Sequence, residues 1–230
     1  QATWHLASAA GLGPLGVCSN GAAIVDVDAG RVLEVNAFAG EVARSLVATI
    51  RHVEPAIRFA VDNLDCFCRE RNFFEVPVDW QERLDEVDDI DSALGPGCVK
   101  LIARLPGLGA AELIERLERE VGAEGVVTTS GLDWVDIGAP GISKAFAMER
   151  VCDRLGVEVS EVIAIGDNHN DLSILGWAGT AMAPANAISD VLAMVERVLP
   201  SNDQDGVAAL LEELAAARAG LPQPGGSLPR

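Results

Sequence analysis

The chain has 230 residues, 49% of them hydrophobic, enough to bury a sizeable core and too many for a disordered segment. With 35 acidic against 17 basic residues the net charge is -18, which argues against nucleic acid and anionic membrane surfaces as partners. No apolar run reaches the roughly 18 residues that a membrane-spanning helix needs.

The amino terminus, Gln-Ala-Thr-Trp-His, shows no basic segment followed by an apolar one, and it lacks an initiator Met, which hints at a fragment. Residues 3–10 read as a helix end. Leu15–Cys18 is a short apolar strand closed by the turn Ser19-Asn20-Gly21. Ala22–Val27 and Arg31–Val35 read as a hairpin, and Glu41–Arg51 carries apolar residues at helical spacing. Ile57–Val61 is a strand, 62–74 is irregular or weakly stranded, and 79–95 reads as a short helix and loop. Val99–Arg104 is a strand and Ala110–Val121 an amphipathic helix. Val126–Thr129 and Trp134–Ile137 make a strand pair, and Ser143 opens a helix to Leu155. Val162–Ile165 is wholly apolar, as a strand buried on both faces should be. A helix begins at Asp171–Leu175, a strand follows at Thr180–Ala183, and helices follow at Ala187–Val195 and Val207–Ala217.

The pattern changes twice along the chain. Its ends read as α/β with short buried strands, the pattern of a doubly wound parallel sheet of Rossmann-like type. That sheet is expected to contain Leu15–Cys18, Val162–Ile165 and Thr180–Ala183. The middle reads as strand pairs with interposed helices. The expected division is a core of 1–21 and 139–220, an inserted α+β cap of 22–138, and a flexible tail of 221–230.

Cys18, Cys66, Cys68, Cys98 and Cys152 are odd in number and irregularly spaced, which suits free thiols in a reducing cytoplasm. Cys66 and Cys68 form a CxC pair, too short for the usual CxxC zinc knuckle.

The strongest chemical signal is Gly166-Asp167-Asn168-His169-Asn170-Asp171 at the end of the apolar strand. Ligands bind outside the carboxyl ends of parallel strands. Two carboxylates four residues apart across such a turn can meet at one Mg²⁺, which favours carboxylate, water and phosphate oxygens. Taken alone, Asp167 and Asp171 could equally be a turn former and a helix-capping acid. Lys144 adds context. Only Lys100 and Lys144 are lysines, against 15 arginines, and a cation at the start of a helix is badly placed for the helix dipole unless it faces an anion. An exposed surface lysine is the alternative.

Three stretches, GISKAFAMERVCDRLGV, VIAIGDNHNDLSILGWAGTAMAPANA and SNDQDGVAALLEEL, resemble the carboxyl-terminal half of Cof-type phosphatases of the haloacid dehalogenase superfamily. CSNGAAIVD resembles the stretch leading into the cap of the same family. The resemblance implies a phosphomonoester hydrolase that acts on a small phosphorylated metabolite, such as a sugar phosphate, with Mg²⁺ as cofactor. It implies that Lys144 neutralises phosphoryl oxygens, Asp167 ligates Mg²⁺ and Asp171 supports the metal site. Asn170 would bind phosphate or orient the site, and Asn20 would face the entrance and touch substrate. In the family an aspartate attacks phosphorus to form an aspartyl-phosphate, and a second aspartate two residues later serves as acid and base.

The family's Asp-x-Asp-Gly-Thr motif should precede SNGA, yet only 18 residues precede Ser19 and none is Asp. A segment of roughly 40 residues, a βαβ-sized unit, is expected ahead of it. The chain alone is therefore expected to be inactive. Asp26-Val27-Asp28 is the internal pair that could stand in, but its sequence reads as a solvated hairpin turn. Competing readings are a sugar phosphomutase of the same superfamily and a catalytically silent, truncated binding module.

Overall fold

A computed structural model describes residues 7–64, 66–74 and 84–219. Its strands form three sheets. The first joins β1 (Leu15–Cys18), β2 (Ala23–Asp26) and β3 (Arg31–Val35), with antiparallel pairing throughout. The second is parallel and joins β10 (Ile163–Ile165), β11 (Thr180–Pro184) and β12 (Arg197–Leu199). The third has six strands, in the order β6 (Leu84–Val87), β5 (Phe67–Glu70), β4 (Arg58–Asp62), β7 (Lys100–Arg104), β9 (Val135–Gly138) and β8 (Val126–Thr128).

Side-chain alternation sorts the faces of the six-stranded sheet. Phe59, Val61, Leu101, Ala103, Val135 and Ile137 point to one side. Ala60 and Ile102 point to the other, where Phe73, Phe74 and Trp134 cover them. Two helices lie on the first side. Helix α1 (Gly40–Val53) presents Ala43, Leu46, Val47 and Ile50, and helix α2 (Ala110–Val121) presents Leu113, Leu117 and Val121, each set at helical spacing and fully buried. Each large side chain so buried contributes about 1.5–3 kcal/mol as an upper estimate.

The parallel sheet is covered on both faces at its central strand β11, but β10 lies at the sheet edge and leaves Ile163 39% exposed, where burial on both faces was expected. Ala164, Ala181 and Ala183 meet Leu175 of α4 (Leu172–Trp177) and Val191 of α5 (Ser189–Leu192). Met182 and Leu199 turn the other way, onto Leu210 of α6 (Gly206–Ala219). This is the doubly wound α/β arrangement that the sequence predicts.

Several elements differ from expectation. Leu15–Cys18 does not join the parallel sheet. The Ser19–Gly21 turn folds β2 directly back on β1, and this local antiparallel ladder satisfies its backbone. Between β1 and β10 lies instead a groove of about 280 Å³, whose lining includes Val17, Lys144, Met148, Ile165, Asp171 and Ile174. Phe67–Glu70 is a full strand because Glu70 is tied into the fold. Its buried carboxylate accepts from the amides of Phe59 and Ile90 and pairs with Arg51. Residues 84–87 form a strand where helix and loop were expected, leaving one 3-10 turn at Ile90–Ser92. The helix expected over 187–195 shrinks to Ser189–Leu192, and β12 follows it. Residues 79–83 of the expected helix and loop, 3–6 of the first helix, and the tail beyond Ala219 lie outside the described residues.

Helix α3 (Lys144–Leu155) packs Ala147 and Val151 on Ile24, and an ionic clasp reinforces this contact. Arg150 and Arg154 reach Glu34 of β3 at 2.5 and 2.6 Å. Chiefly through the hydrogen bond from Arg150, Glu34 is held below the usual carboxyl range. A depressed folded-state pKa stabilises the fold above the ordinary glutamate value of about 4.3, and that gain vanishes as pH falls through the lower folded value. Thermal melts of Glu34→Gln across acid pH should therefore show a flatter acid limb than the native protein. The loss near neutral pH should be small, because the arginines are exposed.

Candidate active site

The parallel strand β10 delivers Gly166 and Asp167 at its carboxyl end. A Cβ on Gly166 would lie 2.4 Å from the Cβ of Asp171, so only glycine lets the following turn tuck Asp171 beneath the strand end. The turn is self-capped. Asn168 and Asp171 form a reciprocal capping box, and Asp171 Oδ2 accepts from the amides of Asp167 at 3.0 Å and Asn168 at 3.2 Å. The remaining oxygen, Oδ1, receives Lys144 Nζ at 2.5 Å.

Lys144 is the first residue of α3, whose start is fixed by Ser143, with Oγ accepting from the Phe146 amide at 3.1 Å. The Ser19–Gly21 turn presses against that start. Gly21 sits at φ +105°, and a Cβ there would lie 2.0 Å from the Ser143 carbonyl oxygen. Asn20, in the left-handed region at φ 56°, thereby reaches two partners. Its Oδ1 accepts from Asn170 Nδ2 at 3.1 Å, and its Nδ2 donates to Asp136 Oδ2 at 2.9 Å.

Electrostatics separate the two aspartates. Burial pushes Asp171 up, but the hydrogen bond from Lys144, the amides and the lysine charge together hold it below the usual range. Asp167 moves the other way. Partial burial and then the neighbouring Asp171 charge raise it, with Lys144 offsetting them in part. Asp167 is exposed, and Asp171 is 7% exposed with both oxygens engaged. An exposed hard-oxygen donor, kept unfavourably anionic by a second carboxylate, suits a divalent ion. Asp171 suits the support of the loop and lysine better than direct ligation.

Around these residues opens a cleft of about 230 Å³, lined by Asn20, Lys100, Thr128, Lys144, His169 and Asn170 among others. Lys144, Asn170 and Asn20, expected from the sequence, thus share one cleft, with Asp171 beneath them and Asp167 at the adjoining strand end. The decoy pair lies elsewhere. Asp26 ends β2 and caps the hairpin turn through Ala29 N at 2.8 Å, with Asp28 in the same turn. His169 is half-buried in the cleft wall.

Sequence reasoning missed the far wall. Lys100 Nζ lies 3.4 Å from Asp136 Oδ2, and Asp136 is 2% exposed. Its Oδ1 is buried with no hydrogen-bond partner among the described residues. The scarcity of lysine was the available signal, since both lysines of the chain line this cleft.

Residues 3–211 match the family described as haloacid dehalogenase-like hydrolase. The phosphoglycolate phosphatase of Methanopyrus kandleri is 33% identical over 122 residues, 47% of this chain and 52% of that protein. The 5-amino-6-(5-phospho-D-ribitylamino)uracil phosphatase YitU of Bacillus subtilis is 37% identical over 79 residues, 34% of this chain and 29% of that protein. The chain thus spans about half of the first and under a third of the second. The solved structure of SMU.1108c from Streptococcus mutans superposes with a TM-score of 0.76 at 24% identity, over 88% of this chain and 77% of that one. At that identity the likeness concerns the fold.

Proposed function

Because the chain belongs to the haloacid dehalogenase-like hydrolases, we propose that its cleft serves Mg²⁺-dependent hydrolysis of a small phosphomonoester, a sugar phosphate or a similar polyol phosphate. The observation that carries this reading is the Lys144–Asp171 pair beside the exposed Asp167. Asp167 would hold the ion. When bound, Mg²⁺ would offset the negative charge spread over the phosphoryl oxygens.

The chain's own residues would do the rest. Lys144, anchored by Asp171, would meet a phosphoryl oxygen. Asn170 would donate to phosphate, in an orientation set by Asn20. The far wall would read the remainder of the substrate. Lys100 offers a cation to it, held in place by the buried Asp136. Relatives named for phosphoglycolate and for a phosphoribitylaminouracil support a small phosphate ester. We assign residues 22–138 to a cap over the core, and the work of the enzyme to the reducing cytoplasm, in keeping with its free cysteines.

Neither Asp167 nor Asp171 is placed to attack phosphorus, since one would bind metal and the other is fully engaged. We assign the attack to an aspartate outside residues 1–230, on a segment seated in the groove between β1 and β10, which Lys144 and Asp171 also line. An aspartyl-phosphate would form there and then be hydrolysed by water. The test is phosphate release from an aryl phosphate by residues 1–230 and by the chain extended with its preceding coding sequence. The extended protein should turn over with Mg²⁺ and stop on chelation, and the shorter one should release negligible phosphate. Robust turnover by residues 1–230, abolished in Asp26→Asn, would overturn the assignment.

A further inference from the structure

A second group of converging donors lies on the six-stranded sheet. Cys66 immediately precedes β5 and Cys68 lies within it. Two residues apart on extended backbone, they share one face of the sheet. Their sulfur atoms are 3.5 Å apart. Strand β6 runs parallel to β5 in the register that pairs Asp85 with Cys68. The three side chains bring one donor atom each to within 4.8 Å of one another. The site is graded in exposure, with Cys68 buried, Cys66 half-buried and Asp85 exposed at the sheet edge.

Packing in the apolar cluster accounts for Cys68 and Cys66 as core thiols, but not for the carboxylate brought beside both sulfurs. A disulfide fits poorly. Alternate residues of a strand are about 6.6 Å apart, near the upper limit of Cα separation for a disulfide. A metal ion spans such a pair without moving the backbone. With metal–sulfur bonds of about 2.3 Å, a tetrahedral centre holds two thiolates about 3.8 Å apart and a linear centre about 4.6 Å. The observed 3.5 Å lies nearer the tetrahedral than the linear separation.

We propose that Cys66, Cys68 and Asp85 form a binding site for a tetrahedral, zinc-class divalent cation, with water as the fourth ligand. Two thiolates and one carboxylate exceed the charge of the ion by one, which an exposed rim tolerates. Soft sulfur donors separate this site from the hard-oxygen cleft, so the two would not compete for Mg²⁺. Bound metal would clip β6, the edge strand, onto β5.

The probe is Co²⁺, whose thiolate charge-transfer absorption reports sulfur ligation, followed by displacement with Zn²⁺ under calorimetry. Reduced protein should bind one equivalent with that absorption, in the presence of excess Mg²⁺. Cys66→Ser should lose the absorption and weaken Zn²⁺ binding by about 10²-fold or more, while Cys152→Ala should behave as native. Asp85→Asn should retain the absorption and bind more weakly; both positions are solvent-accessible, and circular dichroism would verify the fold. The proposal fails if native protein shows no thiolate absorption, or if Cys66→Ser binds as native does. It also fails if excess Mg²⁺ displaces the metal, or if protein purified under reductant has lost two hydrogens to a Cys66–Cys68 disulfide.

Discussion

Replacing Lys144 with alanine should lower kcat/KM for an aryl phosphate by about 10²–10³-fold in the extended, active protein, the usual loss when one preorganised donor to a developing anion is removed. Its ammonium group is already bound to Asp171, so it needs no reorganisation when phosphate arrives. The carboxylate beneath it would lose its cationic partner and keep only the amides of Asp167 and Asn168. Stability should fall too, by less than the roughly 3–5 kcal/mol of a fully buried pair, because Lys144 is 28% exposed. The two effects are separable. Lys144→Arg keeps a cation but cannot reproduce a single-point contact on a short tether, so it should regain stability more than turnover. Assays well below each variant's melting temperature would decide the matter. If Lys144→Ala is only less stable, and turns over as the native protein does while folded, the lysine is structural and the proposed role is wrong.

The elements that lay down the site were legible because their signals are local. A short, wholly apolar run reads as a strand of a parallel sheet, which placed Val162–Ile165 there and Asp167 at a strand end, although β10 proves to be an edge strand with Ile163 exposed. Ser143 before a helical run marked a cap, which placed Lys144. The misses are of another kind. Phe67–Glu70 becomes a strand by folding back on the nearby β4 and through the Glu70 carboxylate, and Leu84–Val87 by pairing in parallel with β5, a partner that no local window shows. Leu15–Cys18 has the apolar character of a core strand, but the short turn after it gives it a nearer partner. Lys100 and Asp136 sit on strands read correctly as strands, yet which residue of an alternating strand faces the cleft depends on register, fixed only when β7 and β9 pair.

Gly21→Ala should be the most destabilising single-methyl change at the site, costing about 2–6 kcal/mol. Two costs add. The residue holds φ +105°, a region worth about 1–3 kcal/mol of strain to a side-chain-bearing residue. The new methyl would also lie 2.0 Å from the Ser143 carbonyl oxygen and 3.1 Å from the Lys144 nitrogen. Both are backbone atoms at the start of α3, so no side chain can swing aside, and such overpacking costs about 1–3 kcal/mol. In a chain of this size each kcal/mol lowers Tm by roughly 2–4 °C, so a fall of about 5–20 °C is expected. Gly141→Ala is the matched control. Gly141 also has a positive φ, +77°, but a Cβ there meets nothing within 4 Å, so it should carry the strain alone and melt measurably higher. Relief of the clash would part the Ser19–Gly21 turn from α3. Asn20 would then lose its grip on Asn170 and Asp136, and Lys144 would shift with its helix start. Gly21→Ala should therefore also depress turnover in the extended protein below its melting point, while Gly141→Ala should not. Equal melting temperatures for the two variants would mean that the turn and the helix start are not in the contact from which the cleft is built.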